Sequence, residues 1–429
     1  MCCRNIILTD VKPIRQKGTQ MTPEMNDKAK TTSCGETLRN VVASMAIVTT
    51  IGMTTACRDS QPAPTTQPGN HAAAPCCSKP PADTNTTPAA RQTDLAAATT
   101  TATTRGENKM KIVNGISNYE VNETNFEALR LALNSMGETF SAGYFHGIAG
   151  SAFRIGGICP CAPTCSLAMS PQQLITLLGY DYIEFPYDDA NKEGALEKAI
   201  DAIRVSIDNG VPVLVWDAFT MCEWDIVTGY DDNEKVFHGR GAYITHAEYQ
   251  KKPWNNTLNT MASHGVMAIV IAKGSGTLDK RAAEIAAIKE AIRHANDAEN
   301  TDKLGSGAWV ILQGKAAYQR WADDFAKSDY KRSHGDMYCI GVYSGAHAQA
   351  GPFLRDIAPN YPDASELLIQ AAEHFEKEAE LLKQLVPLIG WGTRELDPLR
   401  NEQATVLLRE AAACYGSAMD ILAAAVDKM

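Results

Sequence analysis

The sequence predicts an α+β unit followed by an all-helical one, carried behind an exported leader. Between residues 110 and 275, capped helical runs alternate with short β-type runs bounded by turn residues. Beyond Gly276 the β-type runs stop and apolar residues recur at helical spacing. Before residue 110 no stretch has the composition of a packed core.

The leader comes first. Residues 41–56 (VVASMAIVTTIGMTTA) are a weakly polar apolar run preceded by Lys28, Lys30 and Arg39 and closed by small residues before Cys57. Sixteen residues fall short of the roughly 20 that a membrane-spanning helix needs, and the layout is that of a secretory signal. Thr54-Thr55-Ala56-Cys57 resembles the bacterial lipoprotein cleavage box, with Thr54 where Leu is usual, which makes Cys57 the expected lipidation site and a lipid bilayer the expected partner. The segment 58–109 contains 11 Ala, 11 Thr and 7 Pro among its 52 residues, with Leu95 its only large aliphatic. Such a composition buries too little apolar surface to offset its ordering entropy and reads as a tether. The expected divisions are 1–56 (upstream extension and signal peptide), 57–109 (lipidated cysteine and tether), 110–275 and 276–429.

Lys111-Ile112-Val113 reads as a short strand. Phe126, Leu129, Leu133 and Met136 give a helix over 123–136 with Asn122 as its cap and Gly137 just past its end. Ser170, Pro171, the Leu174, Leu177 and Leu178 face and Gly179 give a second helix, followed by strand-like Tyr182-Ile183-Glu184-Phe185. A helix over 193–208 ends at Asn209-Gly210 and runs into the buried-type strand 211–216. Residues 224–230 and 235–238 flank Asp231-Asp232-Asn233-Glu234 as a hairpin, and 266–272 is a further buried strand. The sheet is expected to be mostly antiparallel. Helical periodicity then covers 278–296, 307–327, 336–350, 363–385 and 398–426, the last opened by Asp397-Pro398. Trp309, Leu312, Trp321 and Phe325 are expected on core faces.

Several motifs in 110–275 carry a resemblance: Phe140-Ser141-Ala142-Gly143, residues 145–154 (FHGIAGSAFR), the Gly210-Val211-Pro212-Val213 strand start, and residues 223–232 (EWDIVTGYDD). This region is similar to the family named after the N-terminal domain of butirosin biosynthesis protein H, itself related to papain-like cysteine peptidases. The resemblance implies a papain-like architecture and acyl transfer or amide hydrolysis by a cysteine at the start of the first core helix. The helix dipole and free N–H groups there lower a thiol pKa, and a histidine from the sheet serves as base.

This sequence departs from that pattern. No cysteine stands in Val121-Asn122-Glu123-Thr124-Asn125, where Asn122 aligns with the nucleophile, and Glu223 occupies the histidine position. The expected function is therefore recognition of a small peptide, amide or acyl ligand at the emptied site, with Asn122, His146, Glu223 and Trp224 as ligand-binding residues. The enzymatic alternative is acyl transfer or amide hydrolysis by a displaced cysteine, Cys222 or one of the Cys159, Cys161 and Cys165 cluster, with Glu223, Asn122 and Thr124 as further catalytic candidates. A third reading concerns Cys159, Cys161 and Cys165, which form a disulfide, stay as free thiols, or supply soft ligands to zinc or copper with Cys222 or a histidine completing the set. A net charge of -10 argues against a nucleic-acid partner, and the glycines around Gly147 and Gly156 do not follow a strand into a helix as a phosphate-binding loop requires.

Overall fold

The computed structural model describes residues 109–156, 169–243, 245–259, 265–297, 299–300, 311–391 and 396–429. The leader, Cys57, the tether, Trp309 and the Cys159, Cys161 and Cys165 loop lie outside the described residues.

The first portion contains β1 (Met110–Ile112), α1 (Thr124–Ser135), α2 (Ala142–Ile148), α3 (Pro171–Leu177), β2 (Asp181–Pro186), α4 (Lys192–Asp208), β3 (Val213–Trp216), β4 (Trp224–Asp231), β5 (Val236–Arg240), β6 (Gln250–Pro253) and β7 (Val266–Ala272). The strands lie in the order β2, β7, β3, β4, β5, β6, and every pairing is antiparallel. β1 also pairs with β4. β3 pairs with the first half of β4 and β1 with Gly229–Asp231, so β1 extends the line of β3.

Local chemistry explains the boundaries. Ser170 and Gln173 form a reciprocal capping box around Pro171, so α3 starts where the sequence places it. Asn191 caps α4, and Gly210 at φ +81 turns the chain from that helix into β3. The β4–β5 hairpin turns at the acidic run as the sequence predicts, and the Asp231 carboxylate accepts the N–H groups of Asn233 (2.8 Å) and Glu234 (3.1 Å) within it. The sequence reading passed over α2 and β6, one a seven-residue helix and the other a strand with Lys251 and Lys252 exposed.

The sheet is covered on both faces, which is why β3 reads as an unbroken apolar run. Val213 and Val215 pack with Leu196, Ile200, Ile203 and Ile207 of α4. Leu214 and Trp216 point the other way, into a core with Phe126, Leu129 and Leu133 of α1. That second core continues without a break into the helices that follow: α5 (Lys280–Asn296), α6 (Gly314–Phe325), α7 (His334–Ala346), α8 (Ala350–Ile357), α9 (Ser365–Ile389) and α10 (Pro398–Val426). α2 and α8 approach closely: a Cβ on Gly147 would lie 2.1 Å from the Phe353 ring, so only glycine fits.

Among its described residues the helical portion also holds a two-residue β-pair, β8 (Glu299–Asn300) with β9 (Ile311–Leu312). The helix read over 307–327 therefore begins at Gly314, whose φ of +59 breaks the helical run and turns the chain from strand to helix. Trp321 and Phe325 are buried core residues as expected, and Leu312 is half-buried. Asp397 caps α10 by accepting from Leu399 and Arg400 N–H, again as the sequence indicates. Among the described residues no helix is long and apolar enough to cross a membrane.

Candidate functional site

The helix start and strand start singled out above meet in space. α1 begins at Thr124 because Glu123, not Asn122, is its cap: Glu123 is extended, and its Oε2 accepts the Phe126 N–H at 3.2 Å. The reason lies in the cap's other partners. Glu123 Oε1 accepts from Asn125 Nδ2 (3.0 Å) and from the buried Arg154 Nη2 (3.3 Å), which pulls the glutamate side chain inward over the helix end. Asn122 instead sends its Nδ2 toward the Gly341 carbonyl in α7 at 3.5 Å.

Glu223 is aimed at this helix start by a strained turn between β3 and β4. Asp217 and Cys222 both have positive φ, 59 and 60, a cost that persists only where the surroundings hold it. The Asp225 carboxylate does the holding, accepting N–H groups from Phe219 (2.6 Å), Thr220 (2.8 Å) and Ala242 (3.3 Å). The Glu223 carboxyl then takes three hydroxyl donors: Thr124 at 2.6 Å on Oε2, and on Oε1 Tyr243 at 2.9 Å and Tyr338 of α7. Burial pushes its pKa up, and the three hydrogen bonds only partly oppose this, leaving it at about 7. Burial likewise holds Tyr243 and Tyr338 well above the usual phenol range, so both remain neutral donors. Asp217 and Asp225 are also raised by burial, to about 7 and about 8.

Of the sequence candidates, Thr124 and Glu223 are therefore brought into contact, with Asn122 two residues away at the partly exposed edge. Cys222 precedes Glu223 and is half-buried. Among the described residues the donors to the Glu223 carboxyl are hydroxyls, with no imidazole among them. Glu223 and Thr124 are each 1% exposed and Tyr338 8%, so the pair sits beneath a phenol rather than in an open groove.

The other two expected ligand-binding residues, Trp224 and His146, are also buried and stand apart from the Thr124–Glu223 contact. Trp224 stacks edge-on with Trp216 at 5.6 Å inside the core. His146 bridges two elements: Nδ1 is 2.8 Å from Ser151 Oγ, and Nε2 is 3.2 Å from Glu127 Oε2. Glu127 is also gripped by Arg130, at 2.9 Å through Nε and 2.6 Å through Nη2. The Ser151–His146–Glu127 order is that of an acyl-transfer triad, but all three side chains are enclosed, and the chain of bonds ties α1 to α2. Burial alone would raise the Glu127 pKa; the hydrogen bonds and charges of Arg130 and His146 outweigh it and bring it down to about 2.

Tyr243, Tyr338, Glu123 and Arg154 escaped the sequence reading. Tyr338 comes from a helix 115 positions away from Glu223, and no local pattern announces such a partner. Among the described residues no group of three or more His, Cys, Asp or Glu side chains is placed to hold a metal ion. A separate cleft of about 570 Å³ opens at the far end of α1, between its exit, the start of α2, the α3–β2 turn, the β7–α5 connection and α8. No protein-family model and no curated protein matches the chain.

Proposed function

We propose that this protein is an exported, membrane-tethered binding protein built on a papain-like scaffold whose catalytic position has been filled. The observation that carries this reading is the Thr124–Glu223 hydrogen bond. A nucleophile at a helix start facing a base on the neighbouring strand is the juxtaposition a cysteine peptidase uses. Here Asn122 aligns with the nucleophile, and two residues further on the Thr124 hydroxyl meets the carboxyl at the histidine position, while two phenols occupy the rest of that carboxyl's acceptor capacity. A threonine hydroxyl gains little nucleophilicity from a carboxylate shared among three donors, and Tyr338 covers the pair. The scaffold's substrate class makes a small peptide, amide or acyl compound the expected ligand, and the signal-like run with Cys57 makes a bilayer the expected anchor point.

The test is alkylation of the full chain with iodoacetamide followed by mapping, together with an assay for amine release from peptide and acyl substrates. Cys222 should react no faster than glutathione, and no amine should appear. Fast labelling of Cys222 with turnover abolished in Cys222→Ala would overturn the binding reading in favour of acyl transfer by a displaced cysteine.

A further inference from the structure

The cleft at the exit of α1 lies roughly 18 Å along that helix from Thr124, at 1.5 Å per residue. Its volume of about 570 Å³ is that of a small-ligand site. Its floor is main chain. Gly179 has φ +84, and a Cβ there would lie 2.5 Å from the Gly276 carbonyl, while one on Gly274 would lie 2.2 Å from the Gly179 oxygen. The α3–β2 turn and the β7–α5 connection thus touch backbone to backbone, and no side chain rises from the contact to fill the space above it.

The walls carry both signs of charge. Lys273 and Lys280 come from the β7–α5 side, Glu138 from the exit of α1 and Asp356 from α8. Glu138 accepts the Tyr180 hydroxyl at 2.6 Å through one oxygen, and the Lys280 ammonium stands 6.0 Å from the centre of the Tyr144 ring. Among the described residues Lys273 and Asp356 have no ion-pair partner. An anionic ligand would meet the two carboxylates, a cationic one the two ammonium groups, and a neutral one would desolvate all four without pairing any. A ligand bearing one charge of each sign avoids all three penalties. Phe140, Leu178 and Leu278 add an apolar wall, and the volume exceeds what a single amino acid fills.

We propose that this cleft binds a short peptide with free ends, its carboxylate at Lys273 and Lys280, its ammonium at Asp356 and Glu138, and an apolar side chain against Phe140 and the two leucines. The proposal rests on the binding-protein reading and names its ligand class, but it moves recognition away from the sealed Glu223 site to a place no catalytic residue of the scaffold occupies.

The experiment is calorimetric titration of the full chain with alanyl-leucine, its N-acetyl form and its C-terminal amide, with dipeptide integrity followed by chromatography. Alanyl-leucine should bind saturably, and each capped form at least tenfold more weakly. The Lys273→Ala/Lys280→Ala variant should lose the discrimination against the amide, and Asp356→Asn that against the acetyl form; all the altered side chains are exposed, and unchanged thermal melts would confirm that these variants fold. Equal binding of the three compounds, or no saturable heat, overturns the cleft and leaves the alkylation result at Cys222 as it stands. Cleavage of bound dipeptide that disappears in the double lysine variant supports the cleft and overturns the non-enzymatic reading.

Discussion

Glu127 and Glu223 are both buried around the first turns of α1, yet their carboxyls titrate in opposite directions. Burial pushes each one up. Glu127 ends at about 2 because its partners are a guanidinium and an imidazole, whereas Glu223 stays at about 7 because its partners are three neutral hydroxyls, with the Glu123 carboxylate nearby. Both accept several hydrogen bonds, so the number of bonds does not separate them. The formal charge of the partner does. A carboxyl can thus stand near a helix N-terminus, where the dipole favours a negative charge, and still hold its proton close to neutrality.

The largest effect expected from this contrast is at Glu127. Replacing it with Ala takes the carboxylate from the His146 ring and leaves the Arg130 guanidinium only the exposed Glu120 carboxylate at 3.1 Å, which should cost about 3 kcal/mol, the lower end of what breaking a buried charge pair from one side costs. Urea denaturation at pH 7 measures this directly; a loss under about 1 kcal/mol would mean that water replaces the carboxylate. The folded-state pKa lies below the ordinary 4.5, so the stability Glu127 supplies is present above pH 4.5 and is lost as pH falls through about 2. The variant should therefore show a flatter acid limb than the parent.

Glu223 has the opposite sign. Its folded-state pKa lies above 4.5, so folding takes up a proton, and the associated stability is complete below pH 4.5 and lost as pH rises through about 7. A shift from 4.5 to about 7 corresponds to about 3 kcal/mol at 1.36 kcal/mol per pH unit. Glu223→Gln cannot ionise and should gain up to about that much on the parent between pH 4.5 and pH 8. Asp217 and Asp225, raised to about 7 and about 8, keep part of the alkaline slope in both proteins. A difference between parent and variant that stays constant from pH 4.5 to pH 8 would contradict the hydroxyl-bound, near-neutral carboxyl.

Tyr338→Phe is a smaller change to the same cluster. It removes one donor without opening a cavity, at about 1 kcal/mol for a hydrogen bond to a group that is charged part of the time. The measurable signature is directional. Losing a bond that favours the ionised form moves Glu223 further up, so the alkaline loss of stability should start at the same pH as in the parent and continue to higher pH before it levels off.

The two halves of the site differ in how far sequence alone exposes them. Thr124 and Glu223 are legible because each stands beside a local boundary signal, a helix cap and the first residues of a strand, and the motif resemblance pairs those boundaries. The caps at Ser170 and Asp397 and the apolar run of β3 are legible for the same reason. Tyr338 and Arg154 are not. Their partners lie 115 and 31 positions away, and a tyrosine or arginine in a helical or loop context carries no mark of which distant carboxyl it will meet. His146 shows what a motif leaves unsaid: a histidine within a family-like motif reads as a ligand contact, and its bonds to Glu127 and Ser151 appear only once the fold brings them together. The misplaced start of α6 belongs to the same class, since the β8–β9 pairing that displaces it joins segments on either side of a long connection.

The smallest expected effect decides where α1 begins, and with it which residue faces Glu223. Asparagine is among the best helix caps, so sequence preference favours Asn122, and removing a true cap to Ala costs typically about 1 kcal/mol. The geometry assigns that role to Glu123, whose carboxylate accepts the Phe126 N–H and pairs with Arg154, while Asn122 has only a 3.5 Å contact to Gly341. Asn122→Ala should therefore cost under about 0.5 kcal/mol, the range of substitutions away from special features. Glu123→Ala should cost more, because it removes the cap and also strands a buried guanidinium. The reverse ranking in urea melts would shift the helix start to Asn122 and carry Thr124 past the first helical position, dismantling the juxtaposition with Glu223 on which the filled-site reading stands.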